Sequence, residues 1–341
     1  MGKRIEWIDA AKGIGIILVV AGHVPTTDPI KQFIYSFHMP LFFFLSGLVF
    51  KSKDLGLKSF IQKKARSLLF PYVCFAIITY LFWFTVERHL PFSSDSNVDP
   101  FTPFMGIFLS IEDNHMMTYN PAVWFLTALF LVEIAFFLYT KLAKGRFVVL
   151  FAALCGAIGY YGSLKLDGSL PWNVDVVFTA IAFYAFGYAM KNHLAQHKPK
   201  RTLITCVLLF IVTAYVESYN IRVDMRGNDY GNGLVFYLAS LLGIAGTIYL
   251  SHKLKRVAFL TYLGRNSIVI LLLQFVAIPI VKTFIYYGME IDIKDTDTAA
   301  WTLFYTVSIL LFMIPCISFL NKYPLLLGKV SQRRIENLQS R

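Results

Sequence analysis

Hydrophobic and polar positions divide the chain into ten apolar stretches separated by short polar ones. The stretches are 8–24, 33–50, 67–86, 122–140, 147–161, 174–190, 202–219, 233–250, 266–287 and 300–320. A helix crosses the hydrocarbon of a bilayer in about 17–25 residues, and most of these runs are that long. The pattern predicts an all-α, polytopic integral membrane protein: one domain over 1–341, with about ten transmembrane helices. One more apolar segment, "FTPFMGIFLSI" within 87–121, is too short to cross. It is expected to dip into the membrane from outside or to cap the bundle.

Composition points the same way. Of 341 residues, 57% are hydrophobic, only 15% are charged and 32 are Phe. A soluble protein carries roughly a quarter charged residues. The first run reads as a retained span and not a removed signal peptide, because it lacks a small-residue cleavage site and further runs follow. The net charge of +12 does not gather in one domain, which argues against a nucleic-acid partner. The basic residues sit in short clusters between apolar runs, as in loops facing anionic membrane lipids.

Of the 32 Lys and Arg, 24 lie in 51–66, 141–146, 191–201, 251–265 and the two termini, and six lie in the opposite loops. That bias puts both termini in the cytoplasm. The four cysteines, Cys74, Cys155, Cys206 and Cys316, all fall within apolar runs without CxxC spacing, and read as small buried hydrophobes.

Ionisable residues inside such runs are expensive and therefore point to function. The first run, "KGIGIILVVAGHVP", keeps Lys12 and His23. Eleven helical residues make three turns plus about 20°, so the two share a face and stand roughly 16 Å apart along the axis. Asp9 falls on the same side and is placed to pair with Lys12. Gly15 and Gly22 flank that face and admit the close approach of a helix or a ligand. The plainer alternative has Lys12 snorkelling to the inner interface and His23 wetted at the outer one.

The second run, "FIYSFHMPLFFFLSGL", descends from outside and brings His38 to a depth close to that of His23. Pro40 should kink it, freeing the carbonyl of Ser36. A neutral imidazole accepts a proton near physiological pH, as a general base must. "KKARSLLFPYV" puts Lys63, Lys64 and Arg66 at the cytoplasmic mouth of the third run, with Pro71 and Tyr72 inside it. This is either an ordinary basic flank or a seat for anionic phosphates, with Arg66 offering a bidentate fork.

Glu133 is mid-span and must find a partner in the bundle interior. Asp175, Glu217 and Lys282 lie near outer ends, where an interfacial position is open to them. "LGRNSIVILLLQ" sets Arg265, Asn266 and Ser267 at an inner helix start, where Asn or Ser could cap. His193 and His197 have i, i+4 spacing but no zincin Glu, so no metal is expected. GxSxG, Walker A and GxGxxG motifs in strand–turn–helix context are absent from the sequence.

Together, "WIDAAKGIGIILVVAGH", "FHMPLFFFLSGLVF", "KKARSLLFPY", "VWFLTALF" and "LGRNSIVILLLQ" resemble the membrane-bound acyltransferase-3 family, whose members O-acylate sugars on bacterial surfaces. The likeness extends over about 5–320. Lys12 stands where the family usually has Arg, which is similar to the branch related to fucose 4-O-acetylases. The family often has His where this chain has Gln274, so no role is carried to that position.

The resemblance implies a protein of the bacterial cytoplasmic membrane that moves an acetyl group from cytoplasmic acetyl-CoA to a hydroxyl of a sugar or polysaccharide precursor. His23 and His38 would be catalytic, the first as general base and the second orienting the hydroxyl or steadying the oxyanion. Lys12, Lys63, Lys64, Arg66 and Tyr72 would hold the acyl-CoA, with Asp9, Glu133, Arg265, Asn266 and Ser267 in support. A transporter or lipid-linked sugar flippase, with histidines relaying protons, is the rival reading.

Overall fold

Helices form wherever the sequence has a long apolar run, because a backbone in hydrocarbon must satisfy its own hydrogen bonds. The computed structural model describes residues 5–51, 55–111, 114–166, 168–196 and 203–329, and among them it is all-helical. In chain order the helices are α1 (Glu6–His23), α2 (Asp28–Tyr35), α3 (His38–Leu48), α4 (Leu57–Lys64), α5 (Phe70–Thr85), α6 (Phe101–Leu109) and α7 (Trp124–Leu142). They continue as α8 (Val148–Ser163), α9 (Val174–Gln196), α10 (Leu203–Glu217), α11 (Gly233–Leu254), α12 (Ala258–Arg265), α13 (Ser267–Thr283) and α14 (Ala299–Leu320). Each of the ten expected stretches meets a helix. Six helical runs among the described residues are long and apolar enough to cross a membrane.

Burial sorts these helices into centre and periphery. Both α7 and α9 are buried along most of their apolar length, and nine residues of α1 are buried as well. By contrast α5, α8, α10 and α14 turn rows of exposed apolar side chains outward, such as Ile77, Leu81 and Phe84 of α5 and Val207, Leu208 and Ile211 of α10. An outer face this apolar suits lipid as its solvent. Tight contacts at small residues seat the centre: a Cβ on Gly264 would come within 1.7 Å of the Asp9 carbonyl oxygen, and one on Gly47 within 1.8 Å of that of Tyr184. Helices meeting through such residues approach backbone to backbone.

Two segments differ from the simple span pattern. The expected second span is broken into α2 and α3, with Phe37 at φ −143° and ψ −12° between them. Pro40 has no N–H for the Ser36 carbonyl, and Ser240 Oγ of α11 donates to that oxygen at 2.6 Å instead. The kink foreseen at Pro40 is thus a full break. The third span starts earlier than expected, at Leu57, and runs as one 33-residue helix to His89. A π-turn at Ala65–Leu69 joins α4 to α5 just before Pro71, so Lys63, Lys64 and Arg66 stand on helix and not in a loop.

The short apolar segment folds as α6 and packs against α5. Tyr72, about halfway along the Leu57–His89 rod, donates to the Ile107 carbonyl at 2.8 Å. The tip of α6 ends at Ser110, whose φ of +51° turns the chain out again. Asn173 Nδ2 anchors that tip, donating to the Ser110 carbonyl at 3.0 Å and to Thr127 Oγ1 at 3.2 Å. These bonds satisfy backbone that would otherwise be stranded at depth.

Candidate active site

The break between α2 and α3 positions the chemistry. It lets His38, at the first turn of α3, reach back so that its Nδ1 bonds the Ile34 carbonyl at 2.8 Å. At the end of α1, His23 Nδ1 bonds the Val19 carbonyl at 2.7 Å. A carbonyl only accepts, so in each ring Nδ1 carries the proton and Nε2 is left as the basic nitrogen. Tyr35 lies between the two rings, its centroid 6.2 Å from that of His23 and 4.9 Å from that of His38. Phe275 meets His23 edge-on at 5.1 Å. The structure therefore brings both predicted histidines together in one chamber of about 70 Å³, with Tyr35, Trp124, Asp224 and Arg226 also in its walls.

That chamber has a neighbour on each side. On the side expected to face the cytoplasm, here called the inner side, lies a cavity of about 120 Å³ lined by Lys12, Ser46, Phe42, Leu68 and Ser267, and Met39 and Leu271 belong to both. On the opposite side, the expected outer one, lies a vestibule of about 510 Å³ lined by Asp95, Asn114, His115 and Thr118, which shares Pro121 and Arg226 with the chamber. The three spaces form a file from Lys12, past the histidines, to the outer loops. Within the vestibule His115 Nδ1 is 3.4 Å from Asp95 Oδ1.

The remaining predicted residues divide. Asp9 is bonded by Arg265 Nε at 3.0 Å, tying α1 to α12. Glu133 meets Lys64, whose Nζ is 2.7 Å from its Oε1, so one charge of the basic cluster is consumed inside the bundle. Glu217 and Asp175 are buried within the protein, and Asp175 accepts from the Leu170 N–H at 3.1 Å. Asn266 sits at the N-cap position of α13 without capping it, and its Nδ2 donates back to the Tyr262 carbonyl at 2.9 Å. Ser267 lines the inner cavity. Arg66 is exposed on the π-turn, Lys63 lines a separate depression, and Tyr72 is committed to α6. Gly15 faces Phe42, and Gly22 faces Tyr35. The four cysteines are free thiols. Among the described residues no group of three or more His, Cys, Asp or Glu could hold a metal; His197 lies outside them.

A family model described as an acyltransferase domain, acyltransferase-3, matches residues 5–319. The chain belongs to the acyltransferase-3 family. No curated protein and no solved structure matches it. In this acyltransferase the 220–232 loop and residue Tyr35 are the parts of the chamber that sequence reasoning missed. Tyr35 had a signal, standing three residues before His38 and so on its side of the chain. Asp224 and Arg226 had none, because their place depends on a loop closed by paired Asp224–Asp229 backbone bonds of 2.8 and 2.9 Å and by Asp224 Oδ1 accepting from the Arg226 N–H at 3.1 Å.

Proposed function

We propose that this membrane acyltransferase moves an acetyl group from cytoplasmic acetyl-CoA to a hydroxyl of a sugar or polysaccharide precursor at the outer face of a bacterial cytoplasmic membrane. One observation carries the reading: two imidazoles with fixed tautomers share a chamber set between the Lys12 cavity and a polar outer vestibule. An enzyme that only relayed protons would have no need of spaces on both sides suited to different reactants. The file fits a thioester arm entering from one end and a hydroxyl from the other.

In the proposed reaction His23 Nε2 takes the hydroxyl proton as the oxygen attacks the acyl carbonyl carbon. The carbon–sulfur bond breaks, and the imidazolium returns the proton to the thiolate that leaves. His38 Nε2, likewise an acceptor, orients the sugar by taking a bond from a second of its hydroxyls, and Lys12 and Ser267 flank the donor arm. The basic inner end, with Lys12 nearest the file, balances the donor's phosphates; Lys64 contributes through Glu133 by fixing α4 against α7. Ten crossings, read from the ten apolar runs, and two cytoplasmic termini, read from the lysine bias, complete the proposal.

The test is transfer by the purified full chain in proteoliposomes, with acetyl-CoA and a sugar acceptor on opposite sides. Stoichiometric release of free CoA thiol and acetylated sugar is the expected result. Sugar movement across the bilayer with no thiol released would replace the transferase reading with a transporter.

A further inference from the structure

Away from the acyl path, the lysine-rich end holds a cavity of about 740 Å³. Five lysines line it: Lys51 beyond α3, Lys63 of α4, Lys141 and Lys144 at the end of α7, and Lys191 of α9. None of the described residues lining it is acidic. Like charges facing one space repel, and an anion seated among them relieves that repulsion. Part of the wall is built and not merely surface: Lys191 is half-buried, its Nζ donates to the Phe50 carbonyl at 2.7 Å, and it lies 6.0 Å from the Tyr188 ring centroid. Positive φ at Lys144 (51°) and Gly145 (69°) folds the α7–α8 connection at this edge.

This cavity shares no lining residue with the inner cavity, the chamber or the vestibule. Phe50 forms its inner wall, packed on Phe136 at 5.1 Å, Tyr184 at 6.0 Å and Phe60 at 6.1 Å. Beside the lysines the surface is apolar: Leu142 is 85% exposed and Phe147 78% exposed. A soluble anion has no use for such flanks, whereas a lipid has tails to lay along them.

We propose that this cavity binds the phosphate headgroup of an anionic lipid of the cytoplasmic leaflet, with its acyl tails against Leu142 and Phe147. The proposal stands on the lysine cavity and its flanks, independently of the acyl-transfer reading. The test is native mass spectrometry of the full chain in detergent, titrated with phosphatidylglycerol or phosphatidylcholine. The wild type should retain phosphatidylglycerol at much lower concentration than phosphatidylcholine. Lys141→Gln with Lys144→Gln should raise the concentration needed by about ten-fold or more. Arginine at the same two positions should restore retention, and Lys165→Gln, in an opposite loop, should change nothing.

Equal retention of both lipids by the wild type, or of phosphatidylglycerol by wild type and glutamine variant, would overturn the site. Displacement of the lipid by adenosine bisphosphate would give the cavity to a soluble nucleotide and end the lipid assignment. Inorganic phosphate at the same concentration should leave the lipid bound.

Discussion

At His23 the assignment turns on one hydrogen bond. With Nδ1 committed to the Val19 carbonyl, only Nε2 is available to take a proton, and His23→Ala removes it without disturbing the carbonyl's place in the helix. Such a variant should express and melt near wild type while kcat falls by roughly 10²–10⁴-fold, the usual cost of losing a general base. The wild-type rate should rise with pH and level off, since a protonated imidazole cannot accept the hydroxyl proton. Turnover retained in the alanine variant, or a rate that falls as pH rises through the histidine range, would leave His23 an interfacial residue. At this scale the sequence was a good guide where cost was the signal. Lys12, His23, His38 and Glu133 stand out because ionisable groups are rare in apolar runs. It could show that Glu133 needed a partner but not that Lys64, 69 residues earlier, would supply it, since that pairing depends on how α4 packs on α7.

Among the elements, the decisive one is the α2–α3 break, which turns a would-be span into two short helices and presents His38 beside His23. Pro40 announced the kink, but its size depends on Ser240 and on Gly243 of α11, where a Cβ would come within 2.3 Å of the Phe37 ring. The ten apolar runs were legible because the 17–25-residue requirement is set by the bilayer itself. The start of the third helix was not, since lysines at 58, 63 and 64 read equally well as a loop and as a helix emerging from lipid.

The α1–α3 contact makes a sharper test. A Cβ on Gly15 would sit 3.0 Å from the Phe42 ring and 3.1 Å from Leu41, and Phe42 lines the inner cavity. Gly15→Leu should therefore drive Phe42 into that cavity, at about 1–3 kcal/mol of overpacking cost. Activity with full-length acyl-CoA should be lost, while a short acyl thioester given from the outer side should still be used. Equal loss with both donors would reduce Gly15 to a packing residue, and an unchanged KM and kcat for acyl-CoA would remove the inner cavity from the path.

On the scale of the whole molecule, the question is which side each reactant comes from. The inner cavity ends at Lys12, while the vestibule is formed by the segments that carry Asp95, His115 and Arg226. Between them the chamber is separated from the inner cavity by Met39 and Leu271, side chains common to both spaces. Methionine has three rotatable bonds and adapts to what passes it, so this partition suits a thin thioester arm better than a bulky sugar. On the proposed reading the polar acceptor belongs to the vestibule side, and the donor's charged nucleotide, which cannot follow its arm into the file, stays at the Lys12 mouth, apart from the five-lysine cavity. In sealed vesicles oriented with that end inward, acyl-CoA trapped inside should acetylate an acceptor supplied outside, and acyl-CoA added only outside should not. Widening the partition with Leu271→Ala should keep this sidedness, because the barrier to the nucleotide is its charge and not the width of the chamber. Equal turnover with both reactants outside would mean that transfer takes place wholly within the vestibule, and Lys12 would then have no part in holding the donor.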